Sequence, residues 1–154
     1  MRVFQFTPLS EEDARDILAW RYGGPYAFYD PASDPDDASL FLDEGYRARH
    51  LLAARDEAGR LRGFFELHAS DGVVEVGLGL RPDDTGRGLG SSFLEAGLRH
   101  ARATLHPHTF RLYVAAFNQR AIKVYLRAGF GEVGRETRRL AGLSWEFLIL
   151  ERAA

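Results

Sequence analysis

The chain has 154 residues, a formal charge of −2 at pH 7, 45% hydrophobic and 27% charged residues, and no cysteine. This length suits one domain with a sizeable core, and the near-neutral balance gives no general pull toward nucleic acid or an anionic membrane. The absence of cysteine excludes disulfides, thiolate metal sites and an acyl-cysteine intermediate, and no apolar run approaches the ~20 residues of a membrane span.

In chain order, Arg2–Phe6 alternates and predicts a short strand. The opening Met1–Phe6, followed by Thr7-Pro8, lacks the layout of a signal peptide, so a cytoplasmic setting is expected. Ser10, with Asp13 three residues on, predicts a capping box for a helix of about ten residues carrying Ile17, Leu18 and Trp20. Arg21–Pro35 holds four aromatics, three prolines and two glycines and predicts a loop. In Asp36–Arg47, Leu40, Phe41 and Tyr46 fall at near-helical spacing. His50–Arg55 and Leu61–His68 read as strands around a turn at Asp56–Gly59, and a second tight turn at Ser70–Gly72 leads into a strand at Val73–Leu80. Three antiparallel strands in a row are expected. From Gly88 the period becomes helical: Leu89, Phe93, Gly97, Ala101 and Leu105 recur every four residues, and Pro107 ends the run. Phe110–Ala116 predicts a strand. Asn118 predicts an N-cap for a helix at Gln119–Arg127, with Gly129 as its stop. Phe130–Thr137 and Ser144–Leu150 complete the strands. With no internal repeat or linker, residues 1–154 read as one α+β domain: a mixed, mostly antiparallel sheet of about six to seven strands flanked by about four helices.

The densest signal is Val73–Ser92. An apolar strand runs into a Pro/Asp-rich turn, then Gly86, Gly88 and Gly90 alternate around Arg87 and open a helix. Free backbone N–H groups and the helix dipole favour an anion there, and glycine lets a phosphate approach the backbone closely. A P-loop would place Lys before Ser/Thr after its glycines, whereas Gly90 is followed by Ser91-Ser92; a dinucleotide fingerprint would need G-x-G-x-x-G.

A second segment joins it: Asn118, Ala121, Tyr125, Gly129 and Phe130 lie at the spacing N-x-x-A-x-x-x-Y-x-x-x-G-F. Together the two segments resemble the GNAT superfamily of acetyl-coenzyme A-dependent N-acetyltransferases, the glycine turn being similar to its Q/R-x-x-G-x-G/A pyrophosphate motif. Thr85 stands where that family usually has Gln or Arg, and Arg87 is the residue that can compensate through bidentate phosphate pairing.

The resemblance implies direct attack of a primary amine on the acetyl thioester in a ternary complex, with no metal. It implies that the backbone of Gly86, Arg87, Gly88, Leu89, Gly90 and Ser91 cradles the pyrophosphate, with Asn118 and Tyr125 also at the cofactor. It implies that the strand at Leu78, Gly79 and Leu80 pairs with the pantetheine amides and supplies an oxyanion donor, a contribution on the order of 3 kcal/mol. Gly77 and Gly79 suggest a bulge or a close backbone approach. Tyr125 is the expected acid for the leaving thiolate, since a phenol of pKa ~10 stays protonated where a thiol of ~8.5 must be reprotonated. An alkylammonium of pKa ~10 is only about 0.1% neutral at pH 7, so a base helps; Glu75 is the candidate, with His50 and His68 as alternatives. Trp20, Tyr26 and Tyr29, followed by Asp34, Asp36 and Asp37, suit a cationic amine or a peptide N-terminus. A homodimer is compatible with the resemblance, and the alternative reading is an acyl-CoA-binding module without transferase activity.

Overall fold

The computed structural model describes residues 3–140 and 142–154. Arg2, in the first expected strand, lies outside the described residues. The strands are β1 (Gln5–Pro8), β2 (Leu51–Arg55), β3 (Leu61–Ser70), β4 (Val73–Leu80), β5 (Thr109–Ala115), β6 (Gly131–Leu140) and β7 (Leu143–Ala153). The helices are α1 (Glu11–Leu18), α2 (Pro35–Leu42), α3 (Glu44–His50), α4 (Gly90–Leu105) and α5 (Gln119–Arg127). The strands form one sheet in the order β1-β2-β3-β4-β5-β7-β6, so the architecture is the expected mixed α+β one. Two compact units divide the chain: the residues up to Glu66 with Leu78–Leu89, and Leu67–Gly77 with Gly90–Ala154.

In the first unit, β1, β2 and β3 pair antiparallel. The capping box forms as expected: Asp13 N–H donates to Ser10 Oγ and Ser10 N–H donates to Asp13 Oδ2, both at 3.0 Å. The Asp13 carboxylate also takes Arg55 Nη2 at 2.6 Å, which ties the start of α1 to β2. The helix stops two residues short of Trp20, because Ala19 closes it by donating to the Asp16 and Ile17 carbonyls. Trp20 instead joins Ala14, Ile17, Phe41, Leu51 and Leu61 in the core. Burying each of the larger side chains contributes about 1.5–3 kcal/mol.

The expected loop Arg21–Pro35 carries more order than its composition suggests. Gly24–Tyr29 forms a 3₁₀ turn with Pro25 near its start, and Pro35 opens α2. Proline suits the first helical turn, where its missing N–H would have no partner. Asp34 caps α2, its side chain accepting from Asp36 N–H. The near-helical segment that follows splits in two at Asp43, whose backbone ends α2 and whose side chain caps α3 by accepting from Tyr46 N–H at 2.7 Å. His50 is therefore the last residue of α3, and β2 starts at Leu51.

In the second unit, Asp71 (φ 52°) and Gly72 (φ 78°) form the two-residue turn before β4. The start of β4 pairs parallel with β5 at Val73–Glu75, and β5, β7 and β6 continue antiparallel. Helix α4 begins at Gly90, later than the period suggests, because Gly88 sits at φ 74°, outside helical geometry. Its buried face, Phe93, Leu94, Leu98 and Ala101, belongs with Val74, Phe110, Leu112 and Leu150 in the core. Strand β6, an edge strand of alternating polar residues, outruns its expected end because its pairing with β7 continues to Leu140 opposite Leu143. Ion pairs of Arg135 with Glu132 and Glu146 line it, and charge of this kind discourages pairing with another chain. Among the described residues no helix is long and apolar enough to cross a membrane.

Candidate active site

The first unit carries the end of β4 and the turn that follows it. Leu78, Gly79 and Leu80 are all partly buried. A Cβ on Gly79 would lie 2.3 Å from Phe64 Cε1, so the close approach expected at this glycine is made by a phenyl ring. That ring is itself held, edge-on to Phe41 with centroids 5.2 Å apart and tilted on Trp20 at 6.1 Å. Gly79→Ala is therefore expected to lower stability by about 1–3 kcal/mol through overpacking. Urea unfolding measures this, and an unchanged midpoint would mean that Phe64 yields without cost.

After β4, Pro82–Asp84 makes one 3₁₀ turn. Asp84 is buried, its N–H donates to the Arg81 carbonyl at 2.8 Å, and its carboxylate receives Arg62 Nη1 at 3.3 Å. Arg62 Nε reaches Asp56 at 3.0 Å. Thr85 spends its hydroxyl within the turn, donating to the Pro82 carbonyl at 2.7 Å. Gly86 and Gly88 follow at φ 72° and 74° with the exposed Arg87 between them, and Leu89 is partly buried. Only glycine adopts this conformation without strain. A Cβ at Gly88 would meet nothing within 4 Å, so the backbone there is open to a close-approaching group, as a phosphate cradle requires.

The expected acceptor residues part company. Trp20 is 4% exposed, and its indole N–H donates to Asp16 Oδ1 at 3.1 Å. The ring lies in the core cluster, because the backbone leaves α1 directly into it. Tyr26 and Tyr29 lie partly buried in the 3₁₀ turn, and Tyr29 packs edge-on against Phe28 at 5.0 Å. Nearby carboxylates crowd one another. Burial first, then the charges of Asp34, Glu66 and Asp36, push the Asp37 carboxyl above the usual range.

The second unit carries the remaining residues. Gly90 opens α4, where a Cβ would make an ordinary contact with Val124 of α5 at 3.5 Å; Ser91 is exposed. Asn118 is 9% exposed and caps α5, its Oδ1 accepting from Ala121 N–H at 3.2 Å. Tyr125 is partly buried on α5, its ring 6.3 Å from that of Phe130. The backbone closes the same pair, since Phe130 N–H donates to the Tyr125 carbonyl at 3.1 Å beyond Gly129 (φ 92°). Glu75 stands in register with Arg111 of β5, which stands in register with Glu151 of β7. Arg111 binds Glu151 at 2.6 Å, placing a fixed cation in the row beside Glu75.

Sequence reasoning missed Tyr22, Arg62, Arg81 and Asp84. Each acts through a partner distant in the chain, as Tyr22 does with Leu80. The one local signal was the Pro82-Asp83-Asp84 turn composition.

Residues 4–131 match the family model of the acetyltransferase (GNAT) domain. The mycothiol acetyltransferase of Streptomyces avermitilis is 46% identical over 128 residues, covering 75% of this chain and 40% of that protein. That of Propionibacterium freudenreichii is 42% identical over 92 residues, covering 56% of this chain and 29% of that protein. The chain thus spans well under half the length of these relatives. Among solved structures, a chimera built on the spermidine N-acetyltransferase of Vibrio cholerae superposes with a TM-score of 0.79 at 20% identity, covering 97% of this chain and 95% of that one. A GNAT-family acetyltransferase from Bacillus anthracis gives 0.78 at 14% identity, covering 99% and 95%. At these identities the structural likeness is one of fold.

Proposed function

Because the chain belongs to the GNAT acetyltransferase family, we propose that it transfers an acetyl group from acetyl-CoA to a primary amine, by direct attack in a ternary complex. The observation that carries this reading is the glycine turn: two positive-φ glycines with open space beside Gly88, leading into the 16-residue helix α4. Such a turn presents N–H donors and the positive end of a helix dipole to an anion.

The backbone of Gly86–Ser91 holds the pyrophosphate. Arg87 supplies the side-chain cation, a role Thr85 cannot take with a neutral hydroxyl committed to Pro82. Leu78, Gly79 and Leu80 receive the pantetheine and donate to the developing oxyanion, with the Leu80 carbonyl already engaged by Tyr22. Glu75 takes the proton from the attacking ammonium. Tyr125 gives its phenolic proton to the departing thiolate, and Asn118 serves by fixing the start of the helix that carries Tyr125.

The acceptor is a cationic amine. The crowded carboxylates of Asp34, Asp36, Asp37 and Glu66 create a field suited to an ammonium group, and Tyr26 and Tyr29 on the preceding 3₁₀ turn offer aromatic faces for it. The relatives named for mycothiol and the fold neighbour named for spermidine support amine chemistry without choosing between acceptors.

Calorimetric titration with acetyl-CoA, with ATP as comparison, tests the proposal. Micromolar binding of acetyl-CoA and much weaker binding of ATP is the expected result, followed by thiol release in an amine screen. Binding without turnover on any amine would favour the acyl-CoA-binding module. No binding at millimolar ligand would remove the cofactor assignment.

A further inference from the structure

Two neighbouring residues at the end of β4 are held by two residues at the entrance of the aromatic loop. The Tyr22 hydroxyl donates to the Leu80 carbonyl at 2.7 Å, across 58 positions of sequence. Arg81 Nη2 reaches Asp16 Oδ2 at 2.7 Å, across 65 positions, and its guanidinium lies 5.1 Å from the Trp20 ring. Asp16 also accepts from the Trp20 indole N–H, so one carboxylate grips both sides of the junction. On the loop side, Tyr22 N–H donates to Asp30 Oδ1 at 2.7 Å, which closes residues 22–30 into a ring around the 3₁₀ turn bearing Tyr26 and Tyr29.

We propose that Tyr22 is a positioning residue that couples the aromatic acceptor loop to the strand end that receives the cofactor. The proposal rests on the assignment of β4 and the glycine turn to acetyl-CoA. Leu80 lies within the stretch assigned to pantetheine, and Asp30 closes the stretch assigned to the acceptor. One residue therefore touches both, its side-chain hydroxyl on Leu80 and its backbone N–H on Asp30. A shift of the β4 end on cofactor binding cannot occur without moving Tyr22, and through Asp30 it moves the loop. The hydroxyl remains a donor throughout the working pH range, because burial first, and the Asp30 charge second, push its pKa above that of an ordinary phenol. Two sites become coupled when both bias one shared element, and the Leu80–Tyr22–Asp30 chain is such an element.

Hydrogen exchange with coenzyme A as the probe tests this. In the unmodified protein, coenzyme A is expected to slow exchange both at residues 84–89 and at residues 23–30, by about threefold or more. In Tyr22→Phe, which keeps the ring and removes only the hydroxyl, protection at 84–89 persists and protection at 23–30 disappears. Asp30→Ala cuts the same link from the loop side and is expected to give the same pattern, so the test does not hang on one variant. Exchange in β5 without ligand verifies that each variant is folded. Protection at 23–30 that survives in the folded variants overturns the proposal, as does protection at 84–89 without any at 23–30 in the unmodified protein. Absence of protection at both segments in the unmodified protein removes the cofactor assignment itself, and the coupling with it.

Discussion

Replacing Tyr125 with phenylalanine is expected to lower kcat by about 10²- to 10⁴-fold, the usual range for removing a general acid, while leaving the affinity for acetyl-CoA within about threefold. The split follows from what the substitution removes. The ring stays against Phe130, and the backbone bond between the two residues is untouched. What goes is the hydroxyl, the proton donor to the thiolate in the proposed function. Because that proton moves in the transition state and not in the ground-state complex, its loss falls on kcat and kcat/KM together. Steady-state thiol release with an amine acceptor measures this. Unchanged turnover would show that the thiolate takes its proton from elsewhere and that Tyr125 is a packing residue.

The opposite signature is expected at the glycine turn. Gly88→Val should weaken coenzyme A binding by at least about tenfold, equivalent to ~1.4 kcal/mol. A left-handed conformation costs an L-residue about 1–2 kcal/mol, and β-branching sharpens the conflict at φ 74°. In the free protein a Cβ at this position meets nothing, so Gly88→Ala introduces strain without a clash. Comparison of the two variants by calorimetry separates backbone strain from occlusion of the ligand. Affinity retained in both would show that the pyrophosphate does not approach this backbone.

The features legible in the sequence are those whose cause is local. Ser10 and Asp13 are three residues apart and form the capping box unaided. Asn118 and Gly129 bracket α5 for the same kind of reason, one accepting a bond from the first turn and the other adopting φ 92° after it. Strand β4 was legible end to end because an apolar run is bounded by a turn on each side. Misreadings arose where composition and conformation diverge. Pro35 looks like a loop residue but opens a helix, and the helical run expected from Gly88 starts only at Gly90, since Gly88 cannot be helical at its φ. Trp20 reads as a residue of the first helix, but α1 ends early and the ring turns into the core. The least legible parts of the site were the supports. Nothing near Tyr22 announces a bond to Leu80, and nothing in an Asp83-Asp84 pair says that the second carboxylate is buried on Arg62. Such partners are chosen by the sheet, which brings distant segments side by side.

The buried Asp84 also bears on the thermodynamics of ligand capture. Pro82–Thr85 is fixed by its own backbone bonds and anchored to β3 through Arg62. Ordering a residue costs roughly 1–2 kcal/mol of conformational entropy, and these residues meet that cost when the chain folds. In the proposed function an arriving pyrophosphate therefore meets a turn whose first residues are already ordered, and the rotors of the long, flexible ligand make up a correspondingly larger share of the entropy lost on association. Shortening the ligand should then make the entropy change less unfavourable while the heat released at the phosphates stays nearly constant.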